Sequence, residues 1–191
     1  RAAPKDRGVL AMIVRRPAVD AREVVAAGEL SPEAGLVGDN WQDRPSRHMP
    51  DGGPNPAAQV TLMNARLAAL VAQSEERWAL AGDQLYVDFD LSTEHVPPGT
   101  RIRVGAAEIE VSPEPHTGCR LFAERYGRDA QRFVGSERTT LLLGDINAVP
   151  TDLTGTRFLA GGDRTHDILT SDTLADVRIG LDSSKAMFYF T

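Results

Sequence analysis

The chain has 191 residues, of which 41% are hydrophobic and 25% charged, a composition that suits one globular domain with a proper core and no need of disulfides or structural metals. Its formal net charge of −6 argues against general nucleic-acid binding, which calls for a basic field. The apolar stretch "GVLAMIV" is far too short to span a bilayer and no small-residue cleavage site follows it, so neither a membrane segment nor a signal peptide is expected; the single cysteine excludes an internal disulfide and fits a reduced, cytoplasmic thiol.

In chain order, residues 8–14, "GVLAMIV", read as a first strand stopped by Pro17. "REVVAAGEL" leans towards strand, and "SPEAGLVGDNW" is loop-like, with two glycines three apart. Residues 42–57, "QDRPSRHMPDGGPNPA", are dense in Pro, Gly, Asp and Asn and carry no apolar period, which predicts a long loop of the kind that often serves function. "AQVTLMN" is a β-branched strand. Asn64 is placed to cap the helix that follows, "ARLAALVAQSEE", with Leu67, Leu70 and Val71 on one face.

"GDQLYVDFDLS" alternates, with Leu85, Val87 and Phe89 on one side. "VPPGTRIRVGAAEIEVS" reads as a hairpin turning at Gly105-Ala106. Ile102, Val104, Ile109 and Val111 face inward, and Arg101, Arg103, Glu108 and Glu110 face water. From Thr117 onward, Phe122, Tyr126, Ala130 and Phe133 recur at spacings of four, four and three, a helix weakened or split at Gly127. "TTLLLGDINAV" reads as a further strand. Many short strands, few helices and no β-α-β alternation predict a mainly β fold, a closed or nearly closed antiparallel barrel with a few peripheral α-helices. The barrel domain is placed at 1–165, with 166–191 a C-terminal extension of unclear role.

The only cysteine lies in "PEPHTGCRLF", on the short turn between hairpin and helix. With Thr117 as N-cap, Cys119 falls in the first helical turn, where free amides and the helix dipole favour negative charge, and His116, Arg120 and Arg125 are close in sequence. Such neighbours favour the thiolate, which a nucleophile or soft-metal ligand requires. The other reading is an inert buried cysteine acting as a small hydrophobe. Arg44, Arg47 and His48, in the long loop, suit an anion clamp, since arginine offers a bidentate fork to phosphate, or are an ordinary solvated loop. Trp41 and Trp78 line a pocket or belong to the core. No protein-only zinc pattern, Walker loop, Gly-x-Gly-x-x-Gly or Gly-x-Ser-x-Gly elbow is present.

Taken in order, several of these pieces resemble a MOSC domain, the module named for the C-terminal part of molybdenum cofactor sulfurase. Gly35, Gly38 and Asp39 match an early Gly-x-x-Gly-Asp motif, "QVTLMN" is similar to the strand that follows, and Gly82, Asp83, Gln84 and Leu85 match a Gly-[Glu/Asp]-x-Leu segment. Pro97 through Cys119 match Pro-x-Gly-Thr, a two-strand hairpin and a terminal cysteine. The resemblance spans roughly residues 9 to 148. It departs at Asn40-Trp41, where the family often has Arg-His, and at "PHTGC", where the family's cysteine commonly follows proline directly.

The resemblance implies a β-barrel with a cleft beside the cysteine, at the barrel's mouth. It implies that Cys119 ligates the molybdenum of a molybdopterin cofactor. Asp39 and Asp83 sit in Gly-Asp turns that shape the cleft or do no more than build the turns. Arg44, Arg47, His48, His116 and Arg120 are then the candidate cofactor contacts. The function expected from it is a reductase, or a reductase subunit, acting on N-hydroxylated or similar small molecules and fed by a separate electron-transfer partner. The alternatives are a sulfur carrier that forms a persulfide on Cys119 with a cysteine desulfurase as partner, and a non-catalytic binding barrel. No nucleic-acid or membrane partner is expected.

Overall fold

The computed structural model describes residues 3–6, 8–105, 107–136, 145–150, 156–159, 177–182 and 185–190. The fold is mainly β with peripheral helices. Its larger sheet contains nine strands: β1 (Val9–Arg15), β2 (Glu23–Val25), β5 (Val60–Asn64), β6 (Leu85–Asp88), β7 (Arg101–Val104), β8 (Ala107–Pro115), β9 (Asp145–Pro150), β11 (Val177–Asp182) and β12 (Lys185–Phe190). Their order is β12-β11-β7-β8-β9-β5-β6-β1-β2, and the sheet curls so that β12 also pairs with β1. A smaller sheet joins β3 (Ala27–Ser31) to β4 (Gly35–Leu36) on one side and β10 (Thr156–Leu159) on the other. Two strands from the C-terminal stretch read as an extension, β11 and β12, thus hydrogen-bond into the larger sheet.

The expected antiparallel arrangement holds for most strand pairs but not for two. β5 pairs with β6 in parallel, as β11 does with β7. The first of these is a β-α-β unit that the sequence reading denied. Between β5 and β6 lie α1 (Ala65–Ala72) and a 3-10 helix, Glu75–Ala81, which supply the long connection a parallel pair needs.

Strand alternation builds two apolar layers. Leu10, Ile13, Leu62, Leu85, Val87 and Phe89 belong to a main core on one face of the sheet. On the other face, Met12, Val14, Met63 and Tyr86 meet Leu67 and Ala68 of α1, Phe122 of α2 (Arg120–Tyr126) and Val134 of α3 (Arg128–Val134). β6 is therefore buried on both sides, and Tyr86 is fully covered with its hydroxyl donating to Trp78 O at 2.7 Å. Burying each such side chain stabilises the fold by roughly 1.5–3 kcal/mol.

Most local expectations hold. The hairpin turns where the Gly105 signal places it, with Val104 opposite Ala107, and Arg101 and Arg103 pair with Glu108 and Glu110 on the wet face. Asn64 caps α1, its Oδ1 accepting from Arg66 N at 2.8 Å and Leu67 N at 3.3 Å. Two details differ. Helix α1 ends at Ala72, because Gln73 takes a left-handed conformation, φ 66°, and Leu70 points to solvent instead of sharing the buried face. The later helix does break at Gly127, and the break turns Phe133 outward while Val134 packs inside.

Candidate functional site

Thr61 on β5 and Asn147 on β9 are directly paired, between neighbours that face the main core. Their side chains therefore emerge on the opposite face, beside the helical layer. There they join Asp83, just ahead of β6, as the floor of a cleft of about 350 Å³. The rim comes from the long loop, with Trp41, Arg44 and His48, and from the turn that carries Glu114, His116 and Cys119. The cleft thus lies on the outer face of the sheet next to α2, and not at the barrel mouth. The sheet's inward face is filled by the main core.

Cys119 is exposed and lines this cleft. It is itself the N-cap of α2, with no side-chain cap bond, so Thr117 is not the cap and the thiol sits one position ahead of the helix. The exposure removes the reading of an inert buried cysteine. Gln131 of α3 fastens the thiol's turn, its Nε2 donating to Gly118 O at 2.8 Å and to Cys119 O at 3.1 Å. A Cβ on Gly118 would come within 3.1 Å of the Gln131 side chain and 3.4 Å of its carbonyl oxygen, so the turn packs closely on α3.

Arg44 supplies the nearby positive charge. Burial of its guanidinium among protein atoms lowers its pKa and repulsion from Arg16 lowers it further, while Asp39 and Cys119 pull the other way. It remains a cation across the physiological range. Arg44 and the sulfur thus line one cleft. His48 Nδ1 lies 3.2 Å from Glu114 Oε1, which ties the long loop to the end of β8. His116 Nδ1 stands 3.5 Å from Asp83 Oδ1.

Five of the eight sequence-chosen residues therefore line the cleft: Cys119, Arg44, His48, Asp83 and His116. Arg47, Arg120 and Asp39 do not. Arg120 turns outward to an exposed pair with Glu124, one helical turn on. The side chain of Asp39 is wholly buried in a clamp with Arg16: Arg16 Nε and Nη2 donate to its two oxygens, each at 2.8 Å, and Arg16 N adds a third bond at 2.9 Å. The same guanidinium donates through Nη1 to Gly82 O at 2.7 Å. One arginine thus holds both Gly-Asp turns together. Asp39 shapes the site through Arg16, and Asp83 enters the cleft itself.

Arg16, Thr61, Glu114 and Asn147 line the cleft without having been singled out. Arg16 continues the outward alternation of Met12 and Val14, a signal visible once the strand's two faces are known. Asn147 has no such signal, because its place follows from the pairing of β9 with β5. Trp41 also lines the cleft, with Nε1 donating to Asn55 O at 3.2 Å, whereas Trp78 packs against the helical layer. No cluster of three or more His, Cys, Asp or Glu side chains able to hold a metal occurs among the described residues, nor is any described helix long and apolar enough to cross a membrane.

No protein-family model and no curated protein matches the chain. Solved structures that share its fold include two of low identity. The YUAD protein from Bacillus subtilis aligns with a TM-score of 0.52 at 9% identity, over 80% of this chain and 91% of that one. A structure described as a hypothetical protein aligns with a TM-score of 0.55 at 14% identity, over 97% of this chain and 69% of the other. At these identities the likeness speaks for the fold alone.

Proposed function

We propose that the chain is a MOSC-type barrel whose cleft holds a molybdenum–pterin cofactor through the Cys119 thiolate. It serves as a reductase, or a reductase subunit, for N-hydroxylated or similar small molecules. The observation that carries this reading is an exposed thiol on the rim of a 350 Å³ cleft that the guanidinium-bearing Arg44 also lines. A cofactor that brings sulfur ligands of its own needs only one more from the protein, so the absence of a multi-residue metal cluster among the described residues is compatible with it.

The donor set fits such a group. A thiolate suits a soft, high-valent metal. Arg44 offers positive charge to an anionic cofactor. Asp83 and Asn147 present buried oxygen acceptors in the floor. When bound, the cofactor supplies two-electron oxygen-atom transfer. The chain's own residues bind and orient: Arg44 stabilises negative charge at the sulfur, Gln131 fixes the turn that aims it, and Trp41 covers one wall against water. The test is the molybdenum and pterin content of the protein made in a cofactor-producing host. Both are expected in the wild type, with molybdenum lost in Cys119→Ala; a wild-type protein without either overturns the reading.

The exposure of Cys119 also favours a second reading, a sulfur carrier, because a carrier's thiol must be reached by another protein's active site. Incubation with a cysteine desulfurase then adds one sulfur atom by mass, and Cys119→Ala abolishes the addition.

A further inference from the structure

Two buried oxygen atoms in the cleft have no hydrogen-bond partner: Oδ1 of Asp83 and Oδ1 of Asn147. Both side chains are about 3% exposed, and both residues line the cleft. The rest of each residue's surroundings does not repair this. Asn147 spends its amide nitrogen on Glu114 O at 3.1 Å, which fixes the side chain and leaves its carbonyl oxygen as the free end. Around Asp83, His116 Nδ1 stands 3.5 Å from Oδ1, long for a hydrogen bond. Between the two lies Thr61, whose hydroxyl already donates to Gln84 Oε1 at 2.7 Å and so has only acceptor capacity left for the cleft.

A buried acceptor without a donor costs free energy, and native proteins rarely keep two in one place without a reason. This floor consists of acceptors only, one of them a carboxylate, on strands held by their neighbours. We infer that it recognises a ligand face rich in N–H donors, such as a 2-amino-4-pyrimidinone ring or an amidinium. A group with carbonyls at those positions would set oxygen against oxygen and be rejected. The assignment does not require molybdenum or Cys119. The donor edge has two sources, the amino-heterocycle of a pterin-type cofactor or an amidine-bearing small molecule, and binding measurements separate them.

The probes are pterin, its 2-oxo analogue lumazine, and benzamidine, each titrated into the whole chain; both pteridines fluoresce. Pterin is expected to bind at least about tenfold tighter than lumazine, since losing a donor also leaves an acceptor unpaired. Asp83→Asn and Asn147→Leu are each expected to weaken pterin binding by a similar factor, and Arg120→Ala, whose side chain turns away to Glu124, to leave it unchanged. The pterin–lumazine comparison needs no variant, so a misfolded mutant does not remove the test. Binding of benzamidine but not pterin, lost in Asp83→Asn, keeps the donor floor and names the small-molecule source. Equal binding of lumazine and pterin, or no binding of either pterin or benzamidine, overturns the inference. Molybdenum retention that survives such a result would still uphold the Cys119 reading, so the two failures are distinguishable.

Discussion

The floor and the rim of the cleft are built by different means. The floor is Thr61 and Asn147 on paired strands, with Asp83 tied in through Gln84, whose backbone N donates to Thr61 O at 3.2 Å and whose side chain accepts from Thr61 N at 2.7 Å. Each position is fixed by strand register, and register is fixed by the apolar residues between them that face the main core. The rim is a loop and a turn held largely by side-chain contacts: His48 to Glu114, Trp41 to Asn55, Gln131 to Gly118 and Cys119. The difference assigns tasks. A floor fixed by strand register suits recognition, and a rim that carries an exposed thiol leaves it open to an incoming group.

This contrast can be broken hardest at the Arg16–Asp39 clamp, which joins both Gly-Asp turns under the floor. Arg16→Met leaves the Asp39 carboxylate buried without its partner. It is expected to cost about 3–5 kcal/mol in a denaturant melt. A loss below about 1 kcal/mol, the scale of a surface pair, would show that the clamp is not structural.

A smaller effect belongs to α2, where Tyr126 donates to Arg77 O and its pKa is pushed up by burial to about 12. The phenol keeps its proton more readily in the fold than in the unfolded chain, where its pKa is about 10. The resulting stabilisation is complete below about pH 10 and is lost as pH rises to about 12. Thermal melts from pH 9 to 12 should therefore show a decline that Tyr126→Phe lessens, and identical slopes for the two proteins contradict the assignment. The smallest effect is expected at Arg120. Its pair with Glu124 is exposed, so Arg120→Ala should leave both the melting temperature and molybdenum content unchanged. A loss of metal in that variant would return Arg120 to the site.

The sequence reading reached the hairpin at Gly105, the Asn64 cap and the break at Gly127 because each rests on a local signal: an alternation, a capping side chain, a glycine. It placed Asp83, His116 and Cys119 in one region because they lie in neighbouring motifs. It missed the parallel β5–β6 pair, since a short helix followed by a 3-10 turn has no long apolar period to advertise a crossover. It missed Asn147 and Arg16 because their roles follow from strands meeting across more than sixty residues of sequence, as in Arg16 with Gly82 and Thr61 with Asn147. It gave Asp39 and Asp83 one role, yet the structure buries the first against Arg16 and turns the second into the cleft. Arg120 was drawn to the thiol by adjacency alone, and the helix rotates it away.

The most direct test of the central claim is X-ray absorption at the molybdenum edge of cofactor-loaded protein, wild type against Cys119→Ser. The account predicts one sulfur neighbour fewer around the metal in the variant. An unchanged sulfur shell would contradict it.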